Sequence, residues 1–168
     1  MRAVIQRVEN ASVCVEGAVT GSIGSGLLVY LGVGREDSEK EAEWMAEKIA
    51  NLRIFDDENG RMNLSLLDIV KQSPQEQGPD LTGCPADGAS PALGVLAVSQ
   101  FTLFAELAKG RRPFYGNAAD PEKANALYEH FKTKTREQGL ICEAGVFQAM
   151  MKITYTNDGP VTIILDSP

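Results

Sequence analysis

A chain of 168 residues is long enough for one domain with a proper core and too short for two comfortable ones. With 43% hydrophobic and 23% charged residues, it has the makeup of a soluble globular protein rather than of a disordered tail. The formal net charge of −7 excludes non-specific binding along nucleic-acid duplexes, which needs a surplus of Lys and Arg, but leaves room for a local basic patch that grips the end of an RNA.

The N-terminal residues 1–8 alternate apolar and polar side chains and predict a first strand rather than a signal peptide. A second strand follows at 12–16. Glycines at Gly21, Gly24 and Gly26 precede the apolar run Leu27 to Val33, whereas a phosphate-binding glycine loop follows a strand and opens a helix, so a turn or bulged strand is the expectation. The apolar run is also far too short to span a bilayer, which makes a cytoplasmic protein with no membrane partner the expectation.

Asp37 or Ser38 can cap a helix over 39–51, with Ala42, Trp44, Met45, Ile49 and Leu52 as its apolar contacts. The acids Asp56, Asp57 and Glu58 run into Asn59-Gly60, a hairpin signal, and read as a solvated loop rather than a metal site. Residues 72–93 hold four of the eight prolines and no Lys or Arg, and read as a long surface insertion. A buried strand is expected over 93–100. Asp120 as N-cap and Pro121 at N1 open a second long helix that continues through Ala124, Leu127, Tyr128 and Phe131 to about Gln138, where Gly139 ends it. Strands are predicted near Ile141, over 151–156 and over 161–165, the last two joined by a plain turn at Asn157-Asp158-Gly159-Pro160. The whole chain, 1–168, thus reads as a single α/β or α+β domain carrying one insertion.

Candidate chemistry is sparse. Cys14, Cys84 and Cys142 are odd in number and widely spaced, and predict free thiols rather than a disulfide framework or a zinc site. The sole histidine, His130, sits mid-helix and reads as a surface or packing residue. Ser99 lies in no Gly-x-Ser-x-Gly elbow, and the chain has neither a phosphate-binding loop nor a helical pair of metal ligands. Any catalysis must therefore work by positioning and hydrogen-bond donation, with no cofactor or metal expected. The segment Ser99 to Ala105 follows a buried strand and offers Ser99, Gln100 and Thr102. These groups could hold the oxyanion of an attacked ester or could simply cap the end of the strand. Basic side chains cluster twice, at Lys109, Arg111 and Arg112 and at Lys132, Lys134 and Arg136.

Ser99-Gln100-Phe101-Thr102-Leu103 followed by Ala105, together with Asn157-x-Gly159-Pro160-Val161-Thr162, resembles the two signature motifs of the D-aminoacyl-tRNA deacylase (D-tyrosyl-tRNA deacylase) family. The match is collinear through residues 1–8, Gly24 to Gly34, Leu52-Arg53-Ile54-Phe55, Met62-Asn63, Lys109-Gly110-Arg111-Arg112-Pro113 and Ile164-Leu165-Asp166-Ser167. The resemblance implies a mainly antiparallel, mixed sheet forming a barrel-like core with two long helices. It implies a homodimer with active sites at the subunit interface, and hydrolysis of the ester between a D-amino acid and the 3′ end of tRNA, with no DNA partner.

By the same resemblance, Gly159 and Pro160 form a cis pair whose carbonyls hold the substrate's amino group in the partner's pocket and exclude an L side chain, while glycine passes. Arg7 braces that pair, and Val161, Thr162, Lys109, Arg111 and Arg112 complete the substrate-binding set. Thr102, Gln100 and the Phe101 N–H position the ester, with Ser99 a weaker candidate. Thr102 has no neighbouring base in sequence, so water attack assisted by the ribose 2′-hydroxyl is preferred to a threonine nucleophile.

Three departures stand out. Phe147-Gln148-Ala149-Met150 replaces the usual Phe-Gly-Ala-Asp, Phe114-Tyr115 is unusual after the Arg-Arg-Pro segment, and residues 72–93 are longer than usual. The Phe147 to Met150 segment and the acidic 72–93 insertion keep a catalytically weak nucleic-acid-binding protein on the same dimeric fold as the runner-up. A hydrolase of small D-amino acid esters stands third.

Overall fold

The N-terminal alternation builds a strand, and a longer one than its pattern predicts. The computed structural model describes residues 1–72, 92–108 and 110–168, and in it strand β1 runs unbroken over Arg2–Val15. Glu16 and Gly17, with φ of 51° and 87°, make the tight turn whose twist suits a hairpin and lead into β2 (Ala18–Ile23). Downstream come β3 (Gly26–Gly32), α1 (Glu39–Ala50), the small hairpin of β4 (Phe55–Asp56) and β5 (Met62–Leu64), and α2 (Leu66–Gln72). Then follow β6 (Gly94–Ser99), a 3₁₀ turn (Phe101–Phe104), α3 (Pro121–Glu137), β7 (Ile141–Ala144) and β8 (Lys152–Asp166).

The main sheet is mixed and ordered β2-β1-β3-β6-β7, with β8 also laid along β1. β3 is antiparallel to β1, while β6 is parallel to both β3 and β7. At the two ends of this order the backbones of β2 and β7 meet, because a Cβ built on Gly21 would lie 2.6 Å from the Ala144 carbonyl oxygen. Only glycine permits that approach, and it nearly closes the sheet into a barrel. The expected single domain with a barrel-like mixed sheet and two long helices is what forms.

Period-2 alternation splits the core in two. Ala3, Ile5, Leu27, Val29, Leu31, Val95 and Ala97 face α1 and α3, meeting Met45, Ile49, Leu127, Tyr128 and Phe131. The intervening residues Leu28, Leu96 and Val98 join Val8, Ala11, Val13 and Ile23 on the other face. The helices start where the sequence signals them. Ser38 and Glu41 form a capping box on α1, and the Asp120 carboxylate accepts from the Lys123 N–H at 3.0 Å on α3.

Four expectations need correction. The predicted turn at Asn157 to Pro160 is no reversal: β8 passes straight through it, paired antiparallel to β1 from Cys14↔Lys152 to Arg2↔Asp166. Proline is tolerated there because, among the described strands, β8 pairs with β1 alone, as an edge strand. The strands predicted over 1–8 and 12–16 are likewise one strand, Arg2–Val15, with register shifts around Val8 against β8 and between Val13 and Cys14 against β2, and Glu16 falls in the turn. Helix α2 has no counterpart among the predicted elements, and Gln72, expected to open the insertion, is its last residue; residues 73–91 lie outside the described part. Finally, Cys14 is disulfide-bonded rather than free. Cys142 is the buried free thiol expected, and burial pushes its pKa up to about 11. No helix among the described residues is long and apolar enough to cross a membrane.

Candidate active site

Where β6 ends, its pairing continues for one residue, the Gln100 N–H donating to the Leu31 carbonyl at 2.8 Å. The chain then tightens into the 3₁₀ turn, closed by the Leu103 N–H on the Gln100 carbonyl at 3.3 Å. The first N–H groups of such a turn have no acceptor within it, which leaves those of Phe101 and Thr102 available. Inside the same turn the Gln100 side-chain amide donates to the Thr102 hydroxyl, so the two side chains fix one another.

Ser99, Gln100 and Phe101 form part of the wall of a cavity of about 830 Å³. The rest of the wall comes from Phe147 through Met151, from Ala118, Ala119, Pro121 and Ala124 before and at the start of α3, and from apolar residues in and beside the sheet. None of the described lining residues is Asp, Glu, His, Lys or Arg. Tyr128 reaches the cavity as well, but its hydroxyl donates to the Ala97 carbonyl at 2.9 Å and burial pushes its pKa far above neutrality. Thr102 is not among the residues of this wall. The described wall can thus offer hydrogen-bond donors in apolar surroundings and includes no side chain equipped to exchange protons at neutral pH.

The second motif builds a separate surface. Gly159 and Pro160 are joined by a cis bond, as expected, and both are exposed. Beneath them Arg7, only 6% exposed, donates through Nη1 to the Ile54 carbonyl at 2.6 Å. Its Nε lies 2.8 Å from Asp158 Oδ2, in an ion pair too far off axis to be an aligned hydrogen bond. A Cβ on Gly159 would come within 3.2 Å of Arg7 Nη2 and 2.7 Å of Val161 Cγ2, and the φ of 118° already calls for glycine. Asn157 holds both ends of the feature: its Oδ1 accepts from the Val161 N–H at 3.1 Å, and its Nδ2 donates to Gln6 Oε1. Thr162 donates to the same Gln6 oxygen at 2.7 Å. Arg7, Gly159, Pro160, Val161 and Thr162 are therefore brought together, yet none of them lines the cavity of their own chain.

Of the basic residues, Arg111 and Arg112 are exposed on a loop closed by the paired backbone of Glu106 and Phe114; Lys109 lies outside the described residues. The second cluster is consumed structurally. Lys132 pairs with Glu129 at 2.7 Å, Lys134 with Glu137 at 3.0 Å, and Arg136 donates to the Cys142 carbonyl at 2.6 Å. His130, 3.0 Å from Glu43, ties α3 to α1, which is the packing role its position suggests. Asp57 accepts from the N–H groups of Asn59 and Arg61 and so staples the β4–β5 turn.

Sequence reasoning does not single out Gln6, Asp158 or the Phe147–Met151 wall. The first two flank residues that it does choose, whereas the wall shows up only as a departure from the family pattern. The Phe114-Tyr115 departure also comes to the site, with the Tyr115 ring edge-on to Phe101 at 5.0 Å between centroids.

The family described as D-Tyr-tRNA(Tyr) deacylase matches residues 4–73 and 89–166. A D-aminoacyl-tRNA deacylase of Koribacter versatilis is 54% identical over 99% of this chain and 97% of its own length. Those of Geotalea uraniireducens (100% of this chain, 94% of its own) and Bacillus velezensis (99% of each) are 50% and 48% identical. Among solved structures, one named c-Myc DNA Unwinding Element Binding Protein superposes with a TM-score of 0.80 at 39% identity, covering 100% of this chain and 99% of that one. A probable eukaryotic D-amino acid tRNA deacylase shares the fold, with a TM-score of 0.69 at 14% identity over 98% of this chain and 97% of that one. The chain belongs to the D-Tyr-tRNA(Tyr) deacylase family.

Proposed function

We propose that the protein hydrolyses the ester joining a D-amino acid, or glycine, to the 3′-terminal adenosine of tRNA, and does so in the cytoplasm as a homodimer. The observation that carries this reading is the uncharged cavity wall. Ser99, Gln100 and Phe101 present hydroxyl, amide and backbone groups there with no described acidic, basic or imidazole side chain beside them. Such a wall can orient an ester and stabilise its oxyanion, but it cannot supply a general acid–base pair. The missing proton relay is carried by the substrate: the terminal ribose 2′-hydroxyl assists the attacking water, and the proton passes to the departing 3′-oxygen. Thr102, fixed by Gln100, serves as a positioning group, and the chemistry calls for no cofactor or metal.

Substrate selection uses the other surface. An exposed Gly159-Pro160 outside its own cavity is suited to enter the cavity of a second copy. Its carbonyls there bind the substrate's amino group and leave no room for an L side chain, a rejection by clash rather than by lost affinity. Glycyl esters pass because glycine has no Cβ. Arg7 braces the pair from below, and Val161 and Thr162 continue the strand that presents it. Lys109, Arg111 and Arg112 meet phosphates of the RNA end.

The second reading, a catalytically weak nucleic-acid-binding protein on this fold, is favoured by one structural relative, whose name states that it binds a DNA unwinding element. The net charge of −7 opposes it for DNA duplexes. Turnover of D-tyrosyl-tRNA, L-tyrosyl-tRNA and free D-tyrosine ethyl ester separates the readings. A D-aminoacyl-tRNA deacylase cleaves the first alone, a binding protein cleaves none, and a general D-ester hydrolase cleaves the third as readily as the first.

A further inference from the structure

The turn between β7 and β8 carries a residue that its backbone does not favour. Two non-glycine residues among those described have positive φ, Glu16 at 51° and Gln148 at 62°. Glu16 sits in the tight β1–β2 hairpin, where such a backbone is the rule. Gln148 occupies the third position of a turn closed by the Ala149 N–H on the Val146 carbonyl at 3.2 Å. With positive φ, that position is one glycine fills without strain, and glycine is what the family pattern has there. This chain keeps the left-handed backbone but places a long amide side chain on it. A strained non-glycine residue at a cavity points to a use for its side chain.

The surroundings indicate which use. Gln148 lines the same cavity as Gln100 and Phe101 and is exposed at it. Its amide makes no side-chain hydrogen bond among the described residues, whereas the Gln100 amide is committed to Thr102. The neighbouring wall is apolar, made of Phe147, Ala149, Met150 and Met151, with Met150 92% exposed.

Resting on the deacylase reading, the ester lies at Ser99 to Phe101 and the amino-acid end meets the Gly159-Pro160 pair that a second copy inserts into the cavity, so the substrate's other end falls to the remaining wall, that of Phe147 to Met151. The nucleoside end is therefore the part of the substrate left for it. Apolar walls suit the faces of a base but leave its polar edge unsatisfied. A glutamine amide offers one donor and one acceptor side by side, the complement of the adenine N6 amino group and N7.

We propose that Gln148 reads the 3′-terminal adenine through its N6–N7 edge, a specificity contact that this chain has gained in place of a turn glycine.

The test uses the full-length protein, Gln148→Gly and Gln148→Ala, on D-tyrosyl-tRNA ending in adenosine or in purine riboside, which lacks the N6 amine. On the adenosine-ended substrate both variants should raise KM by about tenfold, the discrimination expected of one good base contact, with kcat little changed. On the purine riboside substrate, which keeps N7 but lacks the N6 donor, the penalty of the variants should be clearly smaller. Gln148→Gly, relieved of its side chain at positive φ, should melt no lower than the parent, so the KM effect cannot be laid to misfolding. Equal KM values for parent and Gln148→Gly on adenosine ends, or an equal penalty on both substrates, would overturn the proposal. Calorimetric binding of adenosine and purine riboside to parent and Gln148→Gly gives an independent reading of the contact. A parent that cleaves no D-tyrosyl-tRNA but loses adenosine binding on Gln148→Gly would sink the deacylase reading and leave this one standing.

Discussion

Replacing Arg7 by methionine keeps most of the aliphatic stem and removes the guanidinium that lies under Gly159. The side chain is 7% exposed and its partners differ sharply in their access to water. The Ile54 carbonyl, 2.6 Å from Nη1, belongs to a residue that is 7% exposed. Losing a charged donor to such a buried acceptor costs about 1.5–3 kcal/mol. Asp158 and Asp56 are 43% and 52% exposed and stay hydrated without their partner, so their ion pairs add no more than about 1 kcal/mol. The sum, roughly 1.5–4 kcal/mol, lowers the melting temperature by about 3–16 °C in a chain of this size. Arg7→Lys retains charge but cannot span both Ile54 and Asp158, and should fall between the two.

Activity is the sharper readout for Arg7. At a temperature where all three proteins are folded, a loosened Gly159-Pro160 pair should cost at least about tenfold in kcat/KM on D-tyrosyl-tRNA, because small misplacements of a positioning group are expensive. It should also narrow the gap between D- and L-tyrosyl-tRNA. An unchanged melting temperature for Arg7→Met would refute the packing argument. A lowered one with full activity and intact chiral discrimination would refute the bracing role while leaving the packing intact.

Thr102→Ala should lower kcat about tenfold, the scale of one hydrogen bond that holds Gln100, and Thr102→Ser should restore it; a loss of many orders of magnitude in Thr102→Ala would instead mark a nucleophile. Acid should destabilise the fold through carboxylates held below their ordinary range. Asp57 is held there by the backbone N–H groups of Arg61 and Asn59, Asp68 by the Ser65 backbone and hydroxyl, and Asp166 by the Arg2 guanidinium. Their folded pKa values lie below the unfolded ones, so the stability they contribute is complete above about pH 5 and is lost as pH falls below about 4. Urea midpoints measured from pH 6 to pH 3 should show this decline, and Asp68→Asn should flatten part of it; parallel profiles for the two proteins would contradict the assignment.

How much of this is legible in the sequence depends on the range of the forces involved. The caps of α1 and α3 are local chemistry, and Ser38, Asp120 and Pro121 announce them correctly. Helix α2 is also capped locally, by the reciprocal bonds of Ser65 and Asp68, but it spans only seven residues and presents too short a pattern to be noticed. The continuity of β8 is hidden because Gly159-Pro160 carries every local mark of a turn. Its partner β1 absorbs the irregularity through register shifts on both sides of Val8. The same shifts bury Arg7 and Val8 in succession, which no alternating pattern predicts. The site itself is a union of distant segments. Ser99 to Phe101 can be picked from a motif, but Phe147 to Met151 joins them only because β7 lies parallel to β6. The two basic clusters look alike in sequence, and only packing shows that Lys132, Lys134 and Arg136 are already engaged.

The central claim is that an uncharged cavity wall holds the ester while the RNA supplies the hydroxyl that moves the proton. It is tested most directly by single-turnover hydrolysis of D-tyrosyl-tRNA with a 3′-terminal adenosine against the same tRNA ending in 2′-deoxyadenosine. A rate at least about a hundredfold lower on the deoxy substrate, the low end of what positioned acid–base assistance supplies, is the predicted result. Equal rates on the two substrates would contradict it and return the search to a protein side chain.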